Sequence, residues 1–152
     1  MRLTMMTDYA LRLLMHVAQH PDRVCTIAEV ADVYGISKAH LMKVTHQLGQ
    51  TGWLETLRGK GGGMRLAHAP RDINLGKVVR SIEPDLAIVE CFSADNHCVL
   101  TGNCRLAFLL GGALRSFMDH LDGYTLADLL PGSDVPVLPK VRGRHSASLG
   151  GR

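Results

Sequence analysis

The segment TIAEVADVYGISKAHLMKVTHQLGQ, Thr26 to Gln50, constrains the fold of this chain more than any other. It opens on Thr26 with Glu29 three residues later, the pattern of a capping box: the hydroxyl accepts a first-turn amide and the carboxylate reaches back. A short helix over 27–34 follows. Gly35 can take the positive φ that ends that helix, and Ser37 is a good N-cap for a second one from Lys38 to about Gln50. Two helices joined by a short turn around a glycine make a helix-turn-helix. The periodicity agrees with this. Ile27, Val30, Ala31, Ile36, Leu41, Val44 and Leu48 face inward, while Lys38, His40, Lys43 and Gln47 face out.

What surrounds this segment extends it into a winged helix. Upstream, Leu3, Met6, Ala10, Leu13, Leu14, Val17 and Ala18 recur at steps of three and four, predicting a helix from about Thr4 to Gln19 before the break at Pro21. Downstream, Gly52 stops the second helix. Trp53 to Leu57 reads as a strand, Arg58 to Gly63 (RGKGGG) as a basic glycine-rich tip, and Met64 to Ala67 as the returning strand. A nucleotide-binding loop is the other use of such glycines, but the G-x-x-x-x-GK-[ST] spacing is absent and no helix is expected next. Asn74 caps a short helix that Pro84 ends.

Farther on, Leu106, Leu110, Ala113, Leu114, Phe117 and Leu121 keep helical spacing, interrupted by Gly111 and Gly112. Each glycine there costs about 1 kcal/mol relative to alanine, and close approach of another backbone is one compensation. This helix is read as a dimerisation helix, with packing against the first helix as the alternative. A capped turn follows over Thr125 to Leu130. The fold class is therefore mainly α with a small β-hairpin wing. The expected organisation is a winged helix-turn-helix domain over 1–83, a cysteine-rich loop over 84–105, a dimerisation helix and capped turn over 106–130, and a disordered tail over 131–152, rich in Gly, Ser, Pro and basic residues.

The chain has 152 residues, enough for a core without disulfides. Its N-terminal stretch lacks the features of a signal peptide, and no apolar run reaches the roughly 18 residues of a membrane span, so a cytoplasmic protein is expected. Net charge is +3, but Lys38 to Arg65 carries five basic residues against the single acid Glu55, a local patch suited to nucleic acid.

Cys91, Cys98 and Cys104 stand in ECFSADNHCVLTGNCRL with the spacing C-x6-C-x5-C. In a reducing compartment, clustered thiols serve metals or redox chemistry more often than structural bridges. Structural zinc prefers tight C-x2-4-C knuckles, absent here, whereas an iron-sulfur cluster is larger and takes thiolates as its standard ligands. Three thiolates leave one position for a weaker donor, an arrangement suited to a sensor. Zinc held with His97, and redox thiols, stay open on spacing alone. Cys25 stands apart, in the turn before the capping box, and is read as a small apolar filler.

Taken in order, TDYALRLLM, the TIAEVADVYGIS block, the RGKGGG wing, INLGKVVRSIEP and the three cysteines resemble a family of winged-helix regulators. That family contains nitric-oxide-responsive repressors and regulators of iron-sulfur biogenesis. The likeness spans roughly Met1 to Leu130 and is nearer to the nitric-oxide branch. It implies a homodimer on palindromic operator DNA, with an iron-sulfur cluster on Cys91, Cys98 and Cys104 of each subunit. A four-iron cluster is favoured over a two-iron one, although spacing does not decide between them. Nitric oxide would be the signal that releases DNA and derepresses detoxification genes. The resemblance carries the fourth ligand to Asp8, offered by the partner subunit, with His97 or Glu90 as alternatives. It implies a regulator, not an enzyme. A sensor of iron-sulfur status or redox stress on the same scaffold, and a small zinc or thiol redox protein, are the alternatives.

For DNA contact, Ser37, Lys38, His40 and Lys43 occupy the early exposed turns of the recognition helix, where base edges and phosphates are reached. Thr26 sits at a helix N-terminus whose free amides suit a phosphate, and Arg58 and Lys60 lie at the wing tip.

Overall fold

The structure is a computed structural model and describes residues 2–137, so most of the expected tail lies outside the described residues. Helix α1 spans Met5–Ala18 and is capped by Thr4, whose hydroxyl accepts the Thr7 amide. Its apolar stripe supplies the fully buried Ala10, Leu13 and Leu14. Helices α2 (Ile27–Tyr34) and α3 (Lys38–Gln50) form the expected helix-turn-helix, because each boundary has its own local cause. Thr26 and Ser37 cap the two N-termini, and Gly35 ends α2 at φ 64°. Only part of the capping box forms. Thr26 accepts the Glu29 amide at 3.2 Å, but the Glu29 carboxylate turns chiefly to Arg23 and His16.

Val30, Ala31, Ile36, Leu41, Val44 and Leu48 are buried in one core with the stripe of α1, and Ile27 packs against it half-buried. Gln47 departs from its expected outward place. Its amide donates to the Ile82 carbonyl at 3.2 Å, tying α3 to the next helix.

The wing is an antiparallel pair, β1 (Leu54–Leu57) and β2 (Gly63–Leu66), in the register Leu54 opposite Leu66 and Leu57 opposite Gly63. β1 starts one residue later than the sequence suggests, and β2 lies one residue earlier at both ends. Gly59 and Gly61 turn the tip at φ 96° and 79°. At the base, Cys25 and Met64 exchange two backbone hydrogen bonds of 2.9 and 2.8 Å, so the segment before α2 lies beside the wing. Gly63 makes that approach feasible, since a Cβ there would collide with the Cys25 carbonyl.

Helix α4 (Leu75–Ile82) is capped by Asn74, which accepts the Lys77 amide at 3.0 Å. The long helix α5 spans Arg105–Asp122 and packs against α4 through its C-terminal end. There Arg80 grips Asp122 with two bonds of 2.6 and 2.7 Å, over Gly76, where a side chain would strike the Asp122 carboxylate. Of α5 only Met118 is buried. Its N-terminal half stands clear of the core, with Leu106 61%, Phe108 75% and Leu109 65% exposed. The alternative of packing along α1 is not what this helix does; its partner in the chain is α4. The capped turn at Thr125 is a 3-10 turn over Leu126–Leu129 with a complete capping box from Asp128. Among the described residues, no helix is long and apolar enough to cross a membrane.

Candidate functional site

The linker between α4 and α5 has little regular structure beyond a single 3-10 turn at Glu90–Phe92, because it offers no periodic apolar positions to bury. It is held by polar bonds of its own. Asn96 accepts the Cys98 amide at 2.9 Å, Thr101 donates to the Cys98 carbonyl at 2.7 Å, and Gly102 turns the chain at φ 91°. The turns bring Cys91, Cys98 and Cys104 to the wall of one open pocket of about 250 Å³, completed by Thr101, Gly102 and Ala107. All three thiols are free and half-buried. Cys104 is also the residue that starts α5, where it contributes no side-chain cap.

Neither His97 nor Glu90 lines this pocket. Glu90 instead accepts the His97 amide at 3.1 Å. Asp8 lies in the first turn of α1, half-exposed, and pairs with Arg12 one turn on at 2.9 Å. Within a single chain it is not a wall of the cysteine pocket either. Three unpaired thiols on one pocket, with a hydroxyl as the remaining side-chain donor, fit an iron-sulfur cluster by donor chemistry, since thiolates are the standard ligands of such clusters.

The second candidate surface is formed by α3 and the wing. Lys38, His40 and Lys43 are exposed on the first turns of α3, and Arg58 and Lys60 are exposed at the wing tip. Among the described residues, Lys38, Lys43, Arg58 and Lys60 make no ion pair, whereas Arg65 on the wing is taken by Glu55 at 2.7 Å. Ser37 is engaged locally, accepting the His40 amide and lying 3.1 Å from the His40 ring. Thr26 likewise spends its hydroxyl on its own helix. A polyanion facing this surface meets unpaired cations on two separate elements, which is the charge pattern a duplex backbone requires.

The family model described as "Iron-dependent Transcriptional regulator", Rrf2, matches residues 3–132. The chain belongs to the Rrf2 family. Among curated Rrf2 relatives, the HTH-type transcriptional regulator NsrR of Bacillus subtilis is 48% identical over 145 residues, covering 93% of this chain and 99% of that protein. NsrR of Bacillus licheniformis is 46% identical over 136 residues, covering 88% and 95%. Among solved structures, CymR, the global cysteine regulator of B. subtilis, superposes with a TM-score of 0.71 at 22% identity, over 85% of this chain and 95% of that one. IscR of T. potens superposes with a TM-score of 0.67 at 25% identity, over 85% of each. The winged-helix architecture expected from the sequence is thus that of the Rrf2 regulators. The chain is a transcriptional regulator and not an enzyme, which removes the reading as a small redox enzyme.

One group of residues escaped the sequence reading. His16 interrupts the apolar face of α1, yet it is buried against Glu29 and lies beside His20 with ring centroids 4.7 Å apart. Cys25 is fully buried, as an apolar filler should be, but beside these residues. The His-x3-His spacing was the available signal, and nothing local tied it to Cys25 and Glu29.

Proposed function

We propose that this Rrf2 regulator is a homodimeric repressor that holds an iron-sulfur cluster and releases its operator in response to nitric oxide. The observation that carries the proposal is the meeting of Cys91, Cys98 and Cys104 on one open pocket, in a chain 48% identical to an NsrR. In this reading residues 1–83 bind DNA, 84–105 hold the cluster and 106–130 form the dimer. The three thiolates bind from one protomer, and Asp8 of the partner subunit completes the set. When bound, the cluster would supply irons that react with nitric oxide, held by Cys91, Cys98 and Cys104 with the carboxylate of the partner's Asp8 as the weaker fourth donor.

The chain's own residues supply the coupling. Cys104 begins α5, so the state of the loop bears directly on the helix whose apolar half is uncovered. Phe108 and Leu109 suit a second copy of that helix, and at Gly111 a Cβ would find its nearest neighbours 3.6 Å away, so nothing inside the chain demands glycine there. Dimerisation sets the separation of the two α3 helices, which must span one turn of duplex, about 34 Å, to enter successive major grooves. Lys38, His40 and Lys43 then reach base edges and phosphates. Ser37, Thr26 and the α2 amides steady the backbone, with Arg58 and Lys60 extending contact from the wing. A coupling of about 1 to 3 kcal/mol between loop and DNA is enough for a switch.

The test is anaerobic purification followed by absorption spectroscopy and iron and sulfide analysis. Iron-sulfur bands that change on adding nitric oxide, with loss of operator binding in a gel shift, are expected. A colourless protein, or DNA affinity indifferent to nitric oxide, overturns the proposal. Release by peroxide or iron limitation, but not by nitric oxide, would assign the same scaffold to redox or iron-sulfur status. Asp8→Ala is expected to shorten the cluster's lifetime while the dimer persists.

A further inference from the structure

A second set of ligating side chains meets far from the cysteine loop in sequence, where α1, α2 and the wing join. His16 lies in the last turn of α1, His20 one turn beyond it, Cys25 on the segment bridged to β2, and Glu29 in the first turn of α2. One ligand atom from each lies within 4.8 Å of every other. His16 is only 5% exposed and Cys25 is fully buried, so this is not a solvated cluster of surface charge. We propose that His16, His20, Cys25 and Glu29 form a site for a divalent transition metal of the zinc class, stapling the first helix and the base of the wing to the helix-turn-helix.

Two imidazoles, a thiolate and a carboxylate form a four-donor set that suits tetrahedral zinc. The charges balance as well, because one thiolate and one carboxylate neutralise a divalent ion, which a mostly buried position requires. His20 is already oriented. Its Nδ1 lies 2.8 Å from the His16 carbonyl, and donating there leaves the Nε2 lone pair for a metal, as ligating histidines usually donate their other ring N–H to a carbonyl or carboxylate. His16 Nε2 stands 2.9 Å from Glu29 Oε1, close to the edge of about 3.3 Å in a tetrahedron with bonds of about 2.0 Å.

Arg23 holds the same carboxylate, its Nη1 donating to Oε2 at 2.9 Å and its Nη2 to Oε1. Arg23 is about half-exposed, so it can keep Oε2 while Oε1 turns to the metal, and it then acts as the outer partner that ligating carboxylates commonly have. On binding, Cys25 gives its thiol proton to solvent. His16 would bind through Nε2, the atom that faces Glu29, with its ring proton on Nδ1. The competing arrangement is a hydrogen-bonded His16–Glu29–Arg23 triad with a bystander cysteine.

The deciding experiment removes the other thiols. In the full-length chain carrying Cys91→Ala, Cys98→Ala and Cys104→Ala together, titration with cobalt(II) is expected to give one equivalent bound. Tetrahedral visible bands and a thiolate-to-cobalt charge-transfer band should accompany it, and zinc should displace the cobalt. Adding His20→Ala or Cys25→Ser should abolish both spectral features. No binding, binding without the thiolate band, or a spectrum unchanged by His20→Ala overturns the site. Should the triple variant not fold, the parent chain decides. Its zinc content after incubation with zinc should fall by one equivalent in His20→Ala, and its melting temperature should rise with zinc only when His20 is present; an unchanged content, or an equal rise in both chains, overturns the proposal.

Discussion

The helix-turn-helix and the cysteine loop are built on opposite terms. Between Thr26 and Gln50 each helix end has a cap, and the inward positions other than the half-buried Ile27 are buried in one core. Between Pro84 and Cys104 no residue is buried, Val99 is 96% exposed, and the loop is held mainly by short-range polar bonds. One region is stabilised by apolar burial inside the chain; the other leaves its three thiols free on an open pocket. A regulator gains from this division. Under the proposed function, the helix-turn-helix would keep its shape while the loop responds to chemistry without unfolding the protein.

The contrast yields predictions that can break it. The largest concerns the loop's ligands: Cys98→Ala is expected to abolish iron-sulfur absorption in anaerobically purified protein while changing thermal stability of the cluster-free chain very little. A large loss of stability in that cluster-free form would show that the loop carries part of the fold. The converse variant, Leu41→Ala in the fully buried core of the reading head, should cost about 3 kcal/mol. For a chain of this size that corresponds to about 6 to 12 °C in melting temperature. A shift below about 2 °C would mean that the reading head is less tightly packed than its burial indicates.

A smaller effect is expected on the exposed face. Lys43→Ala should leave stability unchanged and lower the slope of log affinity against log salt by about 1, the signature of one lost phosphate contact. An unchanged slope would place Lys43 away from the DNA backbone. The smallest effect belongs to the junction of α4 and α5, where the Arg80 guanidinium holds the Asp122 carboxyl below the usual carboxylate range. A depressed carboxylate contributes stability above its unfolded value of about 3.9 and loses it as pH falls through the folded value. Melting temperature should therefore be insensitive to this pair from neutrality to about pH 5 and decline below about pH 4. Asp122→Asn should remove that pair's share of the decline. Both partners are over a third exposed, so the share is small, and an undiminished acid slope in the variant would show that the pair does not help dock α5.

Most of the DNA-reading unit was legible in the sequence because its determinants are local. A cap acts across three residues, a glycine on its own dihedrals, and an apolar stripe repeats every three or four positions. Where the local signal was divided, the structure departs from the expectation. Glu29 had two roles open to it, helix cap or ion-pair partner, and Arg23 and His16 took most of its carboxylate. Gln47 looked like a surface residue until Ile82, thirty-five positions away, offered a carbonyl. At the cysteine loop the spacing identified the three thiols as a set. The geometry added that they share one pocket wall from which His97 and Glu90 are absent.

The sequence by itself determined the helix-turn-helix, the wing and the thiol set, since each depends on residues close along the chain. Only the tertiary structure decided what lies beside what. It left the apolar half of α5 uncovered, locked Arg80 to Asp122 across 42 positions, and gathered His16, His20, Cys25 and Glu29 around one point. Such groupings follow from how packed elements are oriented, and orientation is set by the whole core at once, so no single stretch of sequence encodes it.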